Sequence, residues 1–379
     1  MMRRLFLVLL FAARAFAASD LTGTVVDDKG KPLAGARVYV NGAFPKLGVS
    51  AVCPTCYRDC GKNEAADAKG AFRLRALDDL LVFDILAVAD GYEPRFAQRV
   101  DPKRGMVTIE LPIRRTGQYV INGIVVDPAG KPVLGAIVDA TGVHSITNAK
   151  GEFALFIPVA KLDVRITART FAPRFERQLT PNEKRTIKLS TGATIVGRLM
   201  RADQPVSGAK IEFRQTDRNP SHDLGPASIG TNDNGYFFMT YLAPNEEYAV
   251  HATLPDGVVD PKIVRTEEEG SSSEAGTLNV GTGREIAGRV VLPPTTSLAA
   301  GSQITVTGDL TGITRTVTLP PDATFAFASM PNEPAHLTFT LPGVRVASVW
   351  NGGRPLPLTG NAAVLPAEGD VAGVRVVGE

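Results

Sequence analysis

The chain has 379 residues, of which 44% are hydrophobic, 41 are Lys or Arg and 39 are Asp or Glu. This hydrophobic fraction is sufficient for packed cores and excludes wholesale disorder, while a net charge of +2 excludes a polybasic nucleic-acid binder. The 37 Gly and 27 Pro residues are spread along the chain, which is typical of short strands joined by tight turns.

The first 17 residues have the features of a secretory signal. Arg3 and Arg4 precede the nine-residue apolar run Leu5–Ala13, and Ala15–Ala17 supplies the small-x-small pattern of a cleavage site. The run is too short for a membrane span, which needs about 20 residues. We therefore predict that residues 1–17 are a signal peptide, that the protein is exported to the periplasm, cell surface or medium, and that no transmembrane segment follows. Its removal leaves 38 basic and 39 acidic residues, a net charge of −1.

An 18-residue phrase then occurs twice, as LTGTVVDDKGKPLAGARV at 21–38 and as INGIVVDPAGKPVLGAIV at 121–138, with ten identical positions. A third copy opens at Ile195 and a divergent fourth at Ile286. Its β-branched runs on either side of an Asp/Gly turn predict a strand, a turn and a strand. A phrase that recurs at this interval indicates folding modules of roughly 75–100 residues, each with a small core.

A second phrase, Asx-x-x-Gly-x-Phe, follows in the modules at Asp67–Phe72, Asn148–Phe153 and Asn232–Phe237, and in degraded form at Asp322–Phe325. It predicts a turn that starts a strand with an inward Phe. The third copy is similar to part of a calcium loop but lacks the ligand spacing and terminal Glu, so we interpret it as a turn. The acidic, Ser-rich segment 267–274 is predicted to be a loop.

Together these patterns predict an all-β protein of tandem antiparallel β-sandwich domains, Ig-like or transthyretin-like, with little helix. The predicted boundaries are 19–115, 116–190, 191–281 and 282–379, the last domain being divergent. The residues predicted to be buried are Val25, Val38, Phe72, Val125, Val138, Phe153, Ile195, Ile211, Phe237 and Phe325.

These phrases resemble those of the carboxypeptidase regulatory-like domain family. The matching elements are G-x-V-V-D-x-x-G-K-P-L-x-G-A-x-V, the Asx/Gly/Phe turn, and the Gly-Tyr-x-Pro of Gly91–Pro94. The resemblance is close in the first two modules, weaker in the third and faint in the fourth. It implies a seven- or eight-stranded antiparallel sandwich, sometimes grouped with carbohydrate-binding-like folds, that carries no catalytic residues of its own. The first module departs from the pattern by a cysteine-bearing insertion.

No catalytic motif is found along the chain. The four histidines, His144, His222, His251 and His336, lack the spacing of a zinc pair and fall in different inferred strands or loops, so we interpret them as surface or turn residues. Nucleophile-elbow and phosphate-loop patterns are missing as well. We therefore predict no catalytic residue, no bound metal and no cofactor.

The cysteine insertion is the unusual segment of the sequence. Cys53, Cys56 and Cys60 are the three cysteines of the chain, and export makes a disulfide the default. We predict one intraloop disulfide to Cys60, since the wider loops reach disulfide geometry with less strain, with Tyr57 and Arg58 displayed at the loop tip as a partner-contacting surface. The alternatives are an intermolecular bridge, a zinc site and a redox centre. The zinc site lacks a second cysteine or histidine pair to complete the ligands, and the redox centre lacks a C-x-x-C at the start of a helix.

Trp350, the single Trp, stands beside Asn and Gly, where a loop could present it to a sugar ring or bury it in a core. The leading hypothesis for function is a non-enzymatic exported protein that acts as a structural or interaction module, with a protein or a cell-envelope glycan as partner. A carbohydrate-binding module is the alternative, and a Cys-centred metal or redox protein is third.

Overall fold

The computed structural model describes residues 18–114, 120–140, 143–157, 159–181, 183–217, 222–367 and 371–379. The predicted signal peptide lies outside these ranges. The described residues form β-strands and no α-helix, which confirms the all-β class. None of them forms a helix that is long and apolar enough to cross a membrane.

The first module forms a sandwich of two sheets, in the orders β4-β1-β7 and β3-β2-β5-β6. Its strands are β1 (Ala18–Asp27), β2 (Arg37–Pro45), β3 (Asn63–Ala65), β4 (Ala71–Asp78), β5 (Leu81–Val88), β6 (Arg95–Val100) and β7 (Val107–Leu111).

The second sandwich repeats this plan, with sheets β11-β8-β14 and β10-β9-β12-β13. Its strands are β8 (Val120–Val126), β9 (Ile137–Ala140), β10 (Val143–Ile146), β11 (Glu152–Phe156), β12 (Leu162–Thr167), β13 (Arg174–Leu179) and β14 (Lys184–Lys188).

In the third sandwich an extra short strand, β21, pairs with both β20 and β23 and joins the two sheets. Its strands are β15 (Ala193–Arg201), β16 (Gln204–Pro205), β17 (Lys210–Gln215), β18 (Ala227–Gly230), β19 (Tyr236–Leu242), β20 (Glu247–Leu254), β21 (Gly257–Val259), β22 (Lys262–Arg265) and β23 (Ser272–Gly281). The predicted loop at 267–274 is wrong in its last three residues, because Ser272–Glu274 belongs to β23 and pairs with Thr194–Val196.

The fourth sandwich has sheets β27-β24-β33-β29-β30 and β26-β25-β28-β32-β31. Its strands are β24 (Arg284–Val291), β25 (Gln303–Gly308), β26 (Thr314–Thr318), β27 (Thr324–Met330), β28 (Ala335–Thr340), β29 (Val346–Asn351), β30 (Arg354–Pro355), β31 (Leu358–Thr359), β32 (Ala362–Leu365) and β33 (Val371–Gly378).

All four sandwiches share one pairing rule. The first strand pairs antiparallel with the strand that follows the Asx turn and parallel with the last strand, as β1 does with β4 and β7. The same holds for β8, β15 and β24. The first strand therefore lies between these two partners in its sheet, with one parallel pairing in an otherwise antiparallel sandwich.

The recurring Asx turn is built as the sequence predicts. In the second sandwich Oδ1 of Asn148 accepts hydrogen bonds from the backbone N–H groups of Lys150 (2.9 Å) and Glu152 (3.0 Å), and Gly151 has a φ of +71°. Oδ1 of Asn232 makes the same two bonds, to Asn234 and Tyr236. This oxygen is therefore bonded to the backbone, which confirms the predicted turn.

Four hydrophobic clusters form the cores, one within each of the predicted modules. All ten residues predicted to be buried are at most 4% exposed, which confirms the assignment of strand faces. By contact density the chain divides into two compact units, one from residues within 1–47 and 54–115 and the other from 48–53 and 116–379. The boundaries between the modules stay predictions.

Candidate functional site

The cysteine insertion is tied to the first sandwich by a buried carboxylate. Oδ2 of Asp59 accepts a hydrogen bond from the backbone N–H of Asp78 (2.9 Å), and its Oδ1 lies 2.7 Å from Nζ of Lys62. Nζ of Lys62 also donates to the carbonyl oxygens of Arg75 (3.1 Å) and Ala76 (2.8 Å). The sequence analysis missed this anchor, although the spacing of Asp59 and Lys62, three residues apart inside the insertion, is compatible with an ion pair.

The predicted contact residues of the insertion have different surroundings. Cys53 and Cys60 are half-buried and Cys56 is exposed. Tyr57 and Cys60 pack against the first core, whereas the side chain of Arg58 is exposed. Tyr57 therefore stabilises the sandwich as well as lining the loop surface, and the role of both residues as partner contacts stays a prediction. The disulfide to Cys60 stays a prediction.

Trp350 lies near the end of a strand. It is the penultimate residue of β29, 37% exposed, and its Nε1 donates a hydrogen bond to Oγ of Ser348 at 3.0 Å. Trp350 pairs with Pro355 on one side and with Arg375 on the other, so it belongs to the sheet. Its indole is therefore held on the outer face of a sheet, where it can contact a ligand.

A second aromatic surface lies on the outer face of the third sandwich. Tyr236 and Phe238 are 42% and 49% exposed, and their rings stack with centroids 6.4 Å apart and planes inclined by 30°. The guanidinium of Arg198, on the neighbouring strand, lies 4.9 Å from the centroid of the Tyr236 ring. The sequence analysis missed this pair, although strand alternation around the inward Phe237 places both rings outward.

His251 corrects the interpretation of the histidines as surface or turn residues. It is 2% exposed, in the middle of β20, and its Nδ1 has no hydrogen-bond partner. Burial lowers the pKa of His251 from the ordinary value of 6.5. The imidazole is therefore neutral in the folded protein at neutral pH.

A cavity of about 540 Å³ adjoins His251. Its polar lining residues are Glu212, Arg214, Gln215, Asp217, Asp223, His251 and Thr311. Apolar groups also line this cavity, which lies within the second unit. Among the described residues no group of three or more His, Cys, Asp or Glu side chains is arranged to hold a metal ion.

No protein-family profile matches the chain, and no curated protein does. Among solved structures it is similar to the TIE protein of Bacillus anthracis (10% identity, 94% of this chain and 72% of the other, TM-score 0.20). It is also similar to the major pilin subunit of Bacillus cereus (10% identity, 96% of this chain and 99% of the other, TM-score 0.20). A third similar structure is the minor pilin of Streptococcus agalactiae (10% identity, 49% of this chain and 94% of the other, TM-score 0.26). Likeness at this level carries no argument about function, which rests on the residues of this chain.

Proposed function

We propose that the chain is a non-enzymatic exported protein of tandem carboxypeptidase regulatory-like sandwiches that acts as a structural or interaction module at the cell envelope. The observation that carries the proposal is the exposed pair Tyr236 and Phe238. It supplies a preformed contact surface on a rigid sheet.

The fold itself does not require these two rings. Each sandwich needs the inward Phe of the Asx turn, but the residues on either side of it face outward and vary. At the two outward positions the four sandwiches carry Ala71 and Arg73, Glu152 and Ala154, Tyr236 and Phe238, and Thr324 and Ala326. Three sandwiches therefore form with small or charged residues where the third exposes two aromatic rings.

Exposed, stacked aromatic side chains are typical of binding surfaces, because they bring a large apolar area at a small cost in conformational entropy. On β15 the half-buried Val196 pairs with Phe238 and extends the apolar area. The partner is a protein or a cell-envelope glycan. Glycan binding is the second candidate function, favoured by the exposed indole of Trp350.

Pull-down of cell-envelope fractions with the chain lacking residues 1–17 tests the proposal. The variant carries Tyr236→Thr and Phe238→Ala, the residues that the fourth sandwich has at these positions. We expect it to fold and to lose the captured partner. Ile263→Thr is the matched control, since Ile263 is 52% exposed on the other sheet of the same sandwich. Equal capture by wild type and double variant would contradict the role of this surface.

Assays with peptide and glycoside substrates test the non-enzymatic part. We expect the purified chain to turn over neither. Turnover that a single point substitution abolishes would overturn it.

A further inference from the structure

An indole and two guanidinium groups lie in one row on the outer face of the fourth sandwich. Trp350 of β29 pairs with Arg375 of β33, and Arg375 pairs with Arg289 of β24. Paired residues point to the same face of a sheet, and neighbouring strands lie about 4.8 Å apart. The inward neighbours Val349 and Val376 are buried, whereas all three members of the row are exposed.

The two arginines lack an acidic partner. Within the described part of the chain neither guanidinium lies within salt-bridge distance of a carboxylate. Asp322 is the acid near Arg289, but its Oδ1 already accepts hydrogen bonds from the backbone N–H (3.1 Å) and Oγ1 (2.8 Å) of Thr324. The row therefore presents positive charge beside an aromatic ring.

The fold offers no reason for this pairing, since like charges on neighbouring strands repel each other. The other three sandwiches avoid it at the same register position. There the first and last strands pair Thr24 with Thr108, Ile124 with Thr186, and Arg198 with Thr277. Only the fourth sandwich, among these described pairs, places two arginines opposite each other.

We propose that this row binds a carboxylate-bearing sugar unit of an acidic polysaccharide. The pyranose ring stacks on Trp350, and the carboxylate projects one strand away onto the planar fork of Arg375, with Arg289 completing the charge. The half-buried Val377 and Val291 pair with each other two residues further along and add apolar area beside the row. The proposal rests on the glycan-binding candidate above and names its substrate class.

Calorimetric titration with polygalacturonate tests it, with methyl-esterified polygalacturonate and dextran sulfate as comparison ligands. We expect polygalacturonate to bind and the uncharged ester to bind at least about tenfold more weakly, because a charge-assisted bidentate hydrogen bond is lost. Arg375→Thr is expected to weaken binding by a similar factor. This variant recreates the Arg/Thr pairing of the third sandwich, so its folding is supported by the chain itself.

Three controls separate the outcomes. Arg315→Thr removes the same charge from the other sheet of the sandwich and is expected to bind as wild type. Trp350→Ala is expected to lose binding that Trp350→Tyr largely retains. The proposal would be overturned if the methyl ester bound as tightly as polygalacturonate, or if Arg315→Thr weakened binding as much as Arg375→Thr. It would also be overturned if polygalacturonate did not bind while dextran sulfate bound wild type and Trp350→Ala equally well. Envelope capture without polygalacturonate binding would overturn this inference and leave the proposed function standing.

Discussion

The ring of Phe72 occupies the space that a side chain at Gly23 would need. The two residues are paired across β1 and β4, and a Cβ on Gly23 would lie 2.5 Å from Cζ of Phe72 and in contact with the carbonyl oxygen of Val107. The same cross-strand pair recurs as Gly123 with Phe153, Gly197 with Phe237 and Gly288 with Phe325. The glycine of the first phrase and the Phe of the second are thus two halves of one packing unit.

Gly23→Ala is therefore expected to destabilise the first sandwich by about 1–3 kcal/mol, the usual cost of overpacking a core. Chemical denaturation of the full chain, followed through the earliest unfolding transition, measures the change. Gly42→Ala is the matched control in β2, because its nearest neighbour, Cε2 of Phe44, lies at an ordinary 3.5 Å. An equal loss of stability in both variants would contradict the role of the Phe72 ring.

Asp59→Ala is expected to loosen the cysteine insertion. It leaves the backbone N–H of Asp78 without its acceptor and Nζ of Lys62 without its counter-ion, at a cost of about 1–3 kcal/mol. Limited proteolysis within residues 54–62 should accelerate together with the loss of stability. Asp28→Ala, at an exposed turn of the same sandwich, should change neither. Unchanged proteolysis in Asp59→Ala would mean that the insertion is ordered by other contacts.

The strands, turns and buried faces could be predicted because they depend on local chemistry. Asx turns, glycines with positive φ and alternating apolar residues can each be recognised from a sequence pattern of a few neighbouring residues. The register between distant strands is a long-range property, so the contact between Gly23 and Phe72 could not be read from the two phrases alone. The row of Trp350, Arg375 and Arg289 could not be predicted for the same reason, because it depends on the register of three strands that are distant in sequence.

Two misassignments have identifiable causes. Ser272–Glu274 has weak strand propensity, and its pairing with β15 overrides that preference. His251 lies on the outward face of β20, which alternation alone marks as exposed, but packing within the second unit covers that face. Tyr236 and Phe238 were predictable from alternation around Phe237.

The buried His251 is expected to make stability fall as the pH falls. Its pKa is lowered in the folded state, so below pH 6.5 the unfolded chain takes up a proton that the folded chain resists. The free energy of unfolding then decreases with falling pH by at most about 1.4 kcal/mol per unit from this group, until the folded-state pKa is reached. Urea unfolding at pH 7.5, 6.5 and 5.5 measures it, and His251→Gln should flatten the difference. Identical pH dependence in the two proteins would contradict the burial argument.

The cysteine prediction is tested by counting thiols. Export into oxidising surroundings pairs thiols, and three cysteines cannot all pair within one chain, so we expect one disulfide and one alkylatable thiol per molecule. Intact-mass analysis after alkylation, before and after reduction, gives the count. Peptide mapping should place Cys60 in the bond, because a disulfide from Cys60 closes a wider loop with less strain than a Cys53–Cys56 bond. Cys60→Ser should therefore cost more stability than Cys53→Ser or Cys56→Ser, the more so because Cys60 also packs against the first core. Three alkylatable thiols with stoichiometric zinc would replace the disulfide by the metal alternative, and a bond between Cys53 and Cys56 would show that loop strain does not select the pair.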